Sequence, residues 1–151
     1  MTTKRATASK LEQIRARLRD GAPLLPIGAH LGFHITAVHP GRVTIELDVR
    51  QHHTNAVGTL HGGVLCDIAD AAMALAHATN LEADESFTTL ELKINFLKPV
   101  WKGKLRAEGR VIKQGRTIGL TDCDVFDEKG SLVAHATSTC MTLRGNDAKG
   151  R

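Results

Sequence analysis

Aromatic side chains are nearly absent: four Phe, one Trp and no Tyr make up 3% of the chain. Proteins that stack bases or single strands need exposed aromatics, so this scarcity excludes a nucleic-acid stacking platform. Cysteine is scarce too. Cys66, Cys123 and Cys140 cannot all pair and none forms a Cys-x-x-Cys, so a reduced, cytoplasmic setting is expected. No apolar run approaches the roughly 20 residues that span a bilayer. The opening MTTKRATASK lacks the apolar segment of a secretory signal, and no membrane association is expected. Walker and dinucleotide glycine motifs are missing, as is any His-Glu-x-x-His or Cys/His ligand spacing among the eight histidines. Asp122-x-Asp124 resembles part of a calcium loop, but Phe126 and Asp127 stand where a ligand and a glycine are required. No metal and no cofactor is expected.

What remains is a chain of 151 residues, 42% hydrophobic and 24% charged, which suits one domain with one core. Its net charge of +4 is uneven. Lys4, Arg5, Lys10, Arg15, Arg17 and Arg19 face Glu12 alone in residues 1–19. Residues 91–116 carry Lys93, Lys98, Lys102, Lys104, Arg106, Arg110, Lys113 and Arg116 against Glu91 and Glu108. That second cluster suits a phosphate-bearing ligand and equally suits a solvated sheet face.

Residues 1–26 read as a basic helix (Lys10–Arg19, with Leu11, Ile14 and Leu18 at helical spacing) and a connector. Residues 27–143 form the domain proper. Phe33–Val49 reads as a hairpin turning at His39-Pro40-Gly41-Arg42, and Arg50–Leu60 has no period. His61 to about His77 is the one long helix, apolar nearly all round and therefore buried. Strand-like runs follow at Phe87–Leu97, Lys104–Lys113, Thr117–Phe126 and Leu132–Leu143, and residues 144–151 read as a frayed tail. The class is α+β: an antiparallel sheet wrapped around one central helix, with an additional short N-terminal helix.

On that helix Asp70 stands among Ile68, Ala69, Ala71, Ala72, Met73 and Ala74. A carboxylate so placed is paired, protonated, useful, or at a rim that reaches water. Asp67, one turn earlier, is its rival. His61-Gly62-Gly63 opens the helix, where the first N–H groups lack intrahelical partners and suit an oxyanion. The glycines serve tight packing equally well, and His61 suits a local hydrogen bond better than acid–base work. Gly62 and Asp70 lie about 12 Å apart along one helix, too far to serve one reacting carbon. If both work, a second, antiparallel copy must bring its Gly62 to this Asp70, making the enzyme at least a dimer.

Asn55-Ala-Val-Gly-Thr-Leu-His61-Gly62-Gly63, then Asp70, then Leu92-Lys-Ile-Asn95-Phe-Leu-Lys98-Pro99 and the turn Lys113-Gln-Gly115-Arg116-Thr resemble the hotdog-fold acyl-CoA thioesterases. The branch is the phenylacetate-pathway (PaaI-like) type, and the likeness runs from about Gly28 to Leu143. The resemblance implies a hotdog fold, a homodimer or homotetramer with shared sites, and hydrolysis of acyl- or aryl-acetyl-coenzyme A. It gives Asp70 the role of nucleophile or general base, and Gly62 that of oxyanion donor with Asn55 assisting. Thr89 would orient the attacking water. Gly63, Lys98, Lys113, Gly115 and Arg116 are the expected substrate-binding residues, the cations taking coenzyme A phosphates. Met73, Leu75, His77 and the loop Thr79–Ser86 would set pocket length. A hydratase or dehydratase on the same fold needs a His paired with a carboxylate. A non-catalytic acyl-CoA sensor would need a DNA-binding appendage, for which residues 1–20 are too short.

Overall fold

The computed structural model describes residues 8–21 and 23–150; Lys4, Arg5 and the rest of MTTKRAT lie outside them. Helix α1 (Lys10–Arg19) opens on a capping box, the Ser9 hydroxyl accepting from Glu12 N–H and the Glu12 carboxylate from Ser9 N–H. A short helix absent from the sequence reading, α2 (Pro26–Leu31), follows. Proline begins it and Gly32, at φ 81°, ends it. Strands β1 (His34–His39) and β2 (Arg42–Val49) make the expected hairpin. Helix α3 (Gly62–Ala78) precedes β3 (Ser86–Phe96), β4 (Gly103–Gln114), β5 (Ile118–Asp127) and β6 (Leu132–Leu143). In the tail, Gly145–Ala148 forms a 3-10 turn with no buried residue.

The strands form one antiparallel sheet in the order β1-β2-β4-β5-β6-β3, curled around α3 in the hotdog arrangement. Alternate residues Val43, Ile45 and Leu47 of β2, Leu105 and Ala107 of β4, and Cys123 and Val125 of β5 point inward against Ile68, Ala72 and Met73. One contact fixes the depth of the helix. A methyl group on Gly109 of β4 would lie 2.4 Å from the Ala72 carbonyl carbon and oxygen, so helix and strand meet backbone to backbone. Edge strand β1 is covered by α1, whose Arg15 guanidinium donates to the Val38 carbonyl at 3.0 Å while Ile14 is buried. Edge strand β3 keeps Leu90 and Phe96 exposed.

Two expectations change here. Helix α3 is not buried all round: Gly63 and Asp67 are exposed, and Cys66, Asp70 and Ala74 half-buried, along one stripe at helical spacing. The apolar sequence hides this stripe because its members are mostly small. Met73, Leu75 and His77 are buried, so within the protomer they are not open to solvent as a pocket wall. His77 Nε2 lies 3.2 Å from Thr142 Oγ1, above a glycine (Gly119) whose Cβ would strike its ring at 2.5 Å.

Substituting Gly109→Ala forces a methyl group into backbone that cannot move aside. A loss of about 3 kcal/mol is expected, lowering Tm by roughly 6–12 °C for a domain of this size. Gly130→Ala meets nothing within 4 Å and opposes only its left-handed φ of 77°, so thermal melts should show a smaller loss. Equal losses would mean that α3 does not rest on β4 this closely.

Candidate active site

The N-terminus of α3 is built by the loop before it. Asn55 organises that loop: its Oδ1 accepts from Val57 N–H (3.0 Å) and Thr59 N–H (3.2 Å), and its Nδ2 donates to Thr59 Oγ1 (2.8 Å). One Nδ2 hydrogen is left over. His61 is the N-cap, its Nδ1 accepting the Gly63 N–H at 2.9 Å. That is the local role the sequence favoured for His61. It also engages the Gly63 N–H, so Gly63 has no backbone donor to offer a substrate carbonyl. Gly62, the first helical residue, has no acceptor for its N–H among the described residues. The Phe96 ring lies over it, and a Gly62 Cβ would approach Phe96 Cζ to 2.9 Å. A cavity of about 420 Å³ opens here, lined by Asn55, Gly62, Leu65, Phe96, Leu97 and Lys98.

Two turns along α3, Asp70 Oδ1 accepts from Thr89 Oγ1 at 3.2 Å. Burial is the main cause that raises the Asp70 pKa above the ordinary carboxylate value. The Thr89 hydrogen bond opposes the rise and the nearby Asp67 charge adds to it. Asp67 itself is exposed and makes no hydrogen bond or ion pair among the described residues. Thr89, reached from the sequence only through the family resemblance, thus lies directly against the carboxylate.

Lys113, Gly115 and Arg116 fall at the β4–β5 turn, toward the other end of α3, where Gly119 underlies His77. Gly115 N–H donates to Ile118 O at 2.8 Å, and a Cβ there would come within 2.6 Å of that oxygen. Closing the turn therefore accounts for this glycine. Much of the basic cluster at 91–116 is matched by carboxylates. Lys98 pairs with Asp127 (2.6 Å), Lys104 with Glu46 (3.4 Å), Arg106 with Glu108 (2.7 Å) and Arg110 with Asp122 (2.7 Å) and Asp124 (3.3 Å). Among the described residues Lys93, Lys102, Lys113 and Arg116 have no such partner. Within one protomer the candidates therefore occupy three stations: Asn55, Gly62 and Lys98 at the start of α3, Asp70 with Thr89 midway, and the β4–β5 turn beyond. The structure adds Phe96 and Leu97 to the first, which single apolar residues in a strand end do not announce.

The family model of the Thioesterase superfamily matches residues 57–134. Human acyl-coenzyme A thioesterase 13 is 30% identical over 107 residues, covering 70% of this chain and 76% of that protein. A thioesterase from Haemophilus influenzae superposes with a TM-score of 0.77 at 26% identity, covering 92% of this chain and 94% of that one. A phenylacetic acid degradation-related protein from Ralstonia eutropha JMP134 gives 0.76 at 32% identity, covering 83% and 97%.

The raised Asp70 pKa has a signed consequence for stability. Below the ordinary carboxylate value of 3.8 the group is protonated folded or unfolded and costs nothing. Above its raised folded value the full cost of ionising in place is present. Asp70→Asn removes that cost, so the variant should melt above the wild type at pH 7. The two curves should converge as pH falls toward about 3.5. Melting temperature against pH reads this directly; an Asn variant that is less stable at pH 7 would mean that the ionised carboxylate is held favourably.

Proposed function

We propose that this chain, which belongs to the thioesterase superfamily and is a thioester-hydrolysing enzyme, cleaves an acyl- or aryl-acetyl-coenzyme A to the free acid and coenzyme A. The observation that carries the assignment of roles is Asp70: a half-buried carboxylate of raised pKa whose one hydrogen-bond partner among the described residues is the neutral Thr89 hydroxyl. Asp70 takes a proton from water held with Thr89, and the hydroxide adds to the thioester carbonyl carbon. The oxyanion accepts the Gly62 N–H, with the remaining Asn55 Nδ2 hydrogen beside it. The C–S bond then breaks and the proton passes to the departing thiolate sulfur. Direct attack by Asp70, giving an anhydride that water opens, uses the same groups.

Two copies make one site in this reading. The donor and the carboxylate are eight positions apart, about 12 Å along α3, so each thioester takes Asp70 from one protomer and Gly62 from its partner. The open stripe of α3 supports it, since small residues let a second, antiparallel helix come close. The antiparallel pairing also turns the partner's Lys98 toward the end of α3 where Lys113 and Arg116 lie, and these cations suit coenzyme A phosphates. Unpaired cysteines agree with a cytoplasmic setting. Hydratase chemistry finds less support. The His–carboxylate pairs among the described residues, His135–Asp124 (2.7 Å) and His34–Glu46 (4.0 Å), sit on the outer face of the sheet away from α3.

Asp70→Asn should lower kcat for thiol release by about 10²–10⁴-fold, while Asp67→Asn keeps most of its rate. Gly62→Pro deletes the N–H at a position where proline suits a helix start, since His61 before it already has extended backbone (ψ 133°); its Cβ displaces the exposed Phe96 ring, so Phe96→Ala alone is the matched control. A loss of about 10²–10³-fold is expected. Mixing the two inactive variants before reassociation should restore roughly a quarter of wild-type activity, because half the dimers then carry one intact site of two. No recovery on mixing would mean that no site is completed across the interface, and a fully active Asp70→Asn would end the mechanism.

A further inference from the structure

The only tryptophan in the chain stands 62% exposed beside the candidate site, and the mechanism leaves it unused. Trp101 lines a second cavity of about 280 Å³ that shares Lys98, Pro99 and Val100 with the cavity at Gly62. Four lysines, Lys98, Lys102, Lys104 and Lys129, surround it with Asp127 and Glu128. Asp127 is matched by a cation, whereas Glu128 meets only a backbone N–H among the described residues. Asp127 holds Lys98 at 2.6 Å, and Glu128 lies over Gly103 and accepts the Lys104 N–H at 3.5 Å. Lys104 pairs with Glu46. Lys102 and Lys129 have no carboxylate within ion-pair distance among the described residues. An exposed π-face with two unmatched ammonium groups is thus continuous, along the Lys98–Val100 wall, with the place where a thioester carbonyl would sit.

We propose that Trp101 is the stacking face for the adenine of coenzyme A, with Lys102 and Lys129 joining the cations already assigned to its phosphates in the paired protomers. The inference rests on the acyl-CoA reading above and adds to it the place of the nucleotide. Coenzyme A carries its nucleotide at the end of a long pantetheine arm, so the base must settle away from Gly62, and the shared wall gives the arm a path. A planar base stacks on an indole without any need for sequence-specific contacts, and one exposed aromatic suffices for one base. Scarcity of aromatics excludes a platform for a strand, but not a seat for a single nucleotide. The phosphates meet ammonium groups as point charges, a contact that salt weakens.

A single tryptophan with no tyrosine makes the test direct, because all indole emission comes from Trp101. Titrating the full-length protein with adenosine 3′,5′-bisphosphate should quench that emission saturably, and rising salt should weaken the binding. The bisphosphate should also inhibit acyl-CoA hydrolysis competitively. Trp101→Ala should raise KM for acyl-CoA on the order of tenfold more than KM for the matching acyl-N-acetylcysteamine thioester, which lacks the nucleotide. Trp101→Phe should recover much of the difference, and melting temperature checks that both variants fold. Emission indifferent to saturating bisphosphate, or equal KM changes for both thioesters, would overturn the inference while leaving hydrolysis standing. So would a tryptophan shielded from acrylamide in the free protein, which would assign it to a contact between copies. Absence of hydrolysis for either thioester, with quenching intact, would instead remove the thioesterase reading and leave a nucleotide-binding surface.

Discussion

The contact between Ala72 of α3 and Gly109 of β4 governs the rest of the architecture. Backbone against backbone, it leaves the helix no room to sink or roll, and Ala69, Ala72 and Ala76 are fully buried on the face that makes it. Larger side chains above and below, Ile68, Met73, Ile45 and Leu105, then fill the space around a helix already at fixed depth, each contributing about 1.5–3 kcal/mol by burial. A helix locked on one face has its other face determined. The stripe through Gly63, Cys66, Asp67, Asp70 and Ala74 is open because the opposite side is the one that fits Gly109.

Electrostatics separates the carboxylates of this fold into two kinds. On the outer face of the sheet Asp122 and Asp124 accept Arg110, and Asp124 also holds His135 at 2.7 Å. Those carboxylates are answered by cations in a cross-strand network, and their charge helps tie β4, β5 and β6 together. Asp70 is treated differently. Its partner is a hydroxyl, which orients one oxygen without supplying charge, and burial raises its pKa. A carboxylate used only for structure is normally matched; one left desolvated beside a neutral donor retains the basicity that proton abstraction requires.

The helix, the hairpin and the four later strands were legible because their hydrophobic periods are long, and every strand boundary after α3 falls within one residue of expectation. The short α2 was not: six residues starting at Pro26 carry fewer than two helical turns, and proline there reads as a bend. The glycines were legible as special positions but not as to why. Gly63 and Gly115 turn out to serve a helix cap and a turn, whereas Gly62 keeps its N–H without an acceptor among the described residues. Backbone donors leave no trace in a sequence, so only coordinates separate these cases. The basic stretch was equally ambiguous, since register decides which cations meet carboxylates: Lys104 reaches Glu46 across the β2–β4 pair and Arg110 reaches Asp122 across the β4–β5 pair. Phe96 and Trp101 carried no signal, being isolated residues in a strand end and a loop.

On the proposed mechanism the chemical groups do not account for the rate by themselves. General-base assistance of 10²–10⁴-fold corresponds to about 3–5 kcal/mol, and one oxyanion donor adds roughly 3–4 kcal/mol. Their sum reaches only the lower end of the 8–23 kcal/mol by which enzymes typically lower barriers. His61 limits the second contribution, because by capping Gly63 it leaves a single backbone donor at the helix start. The balance has to come from holding the thioester still between two protomers, where fixed geometry can contribute on the order of 7–11 kcal/mol. An acyl group offers few handles for that purpose, whereas the far end of coenzyme A offers charge and a planar base. Binding energy gathered at a distance from the carbonyl can then serve the reaction at Asp70. A site with one base and one backbone oxyanion donor, assisted only by a side-chain amide, therefore depends on its grip on the part of the substrate that does not react.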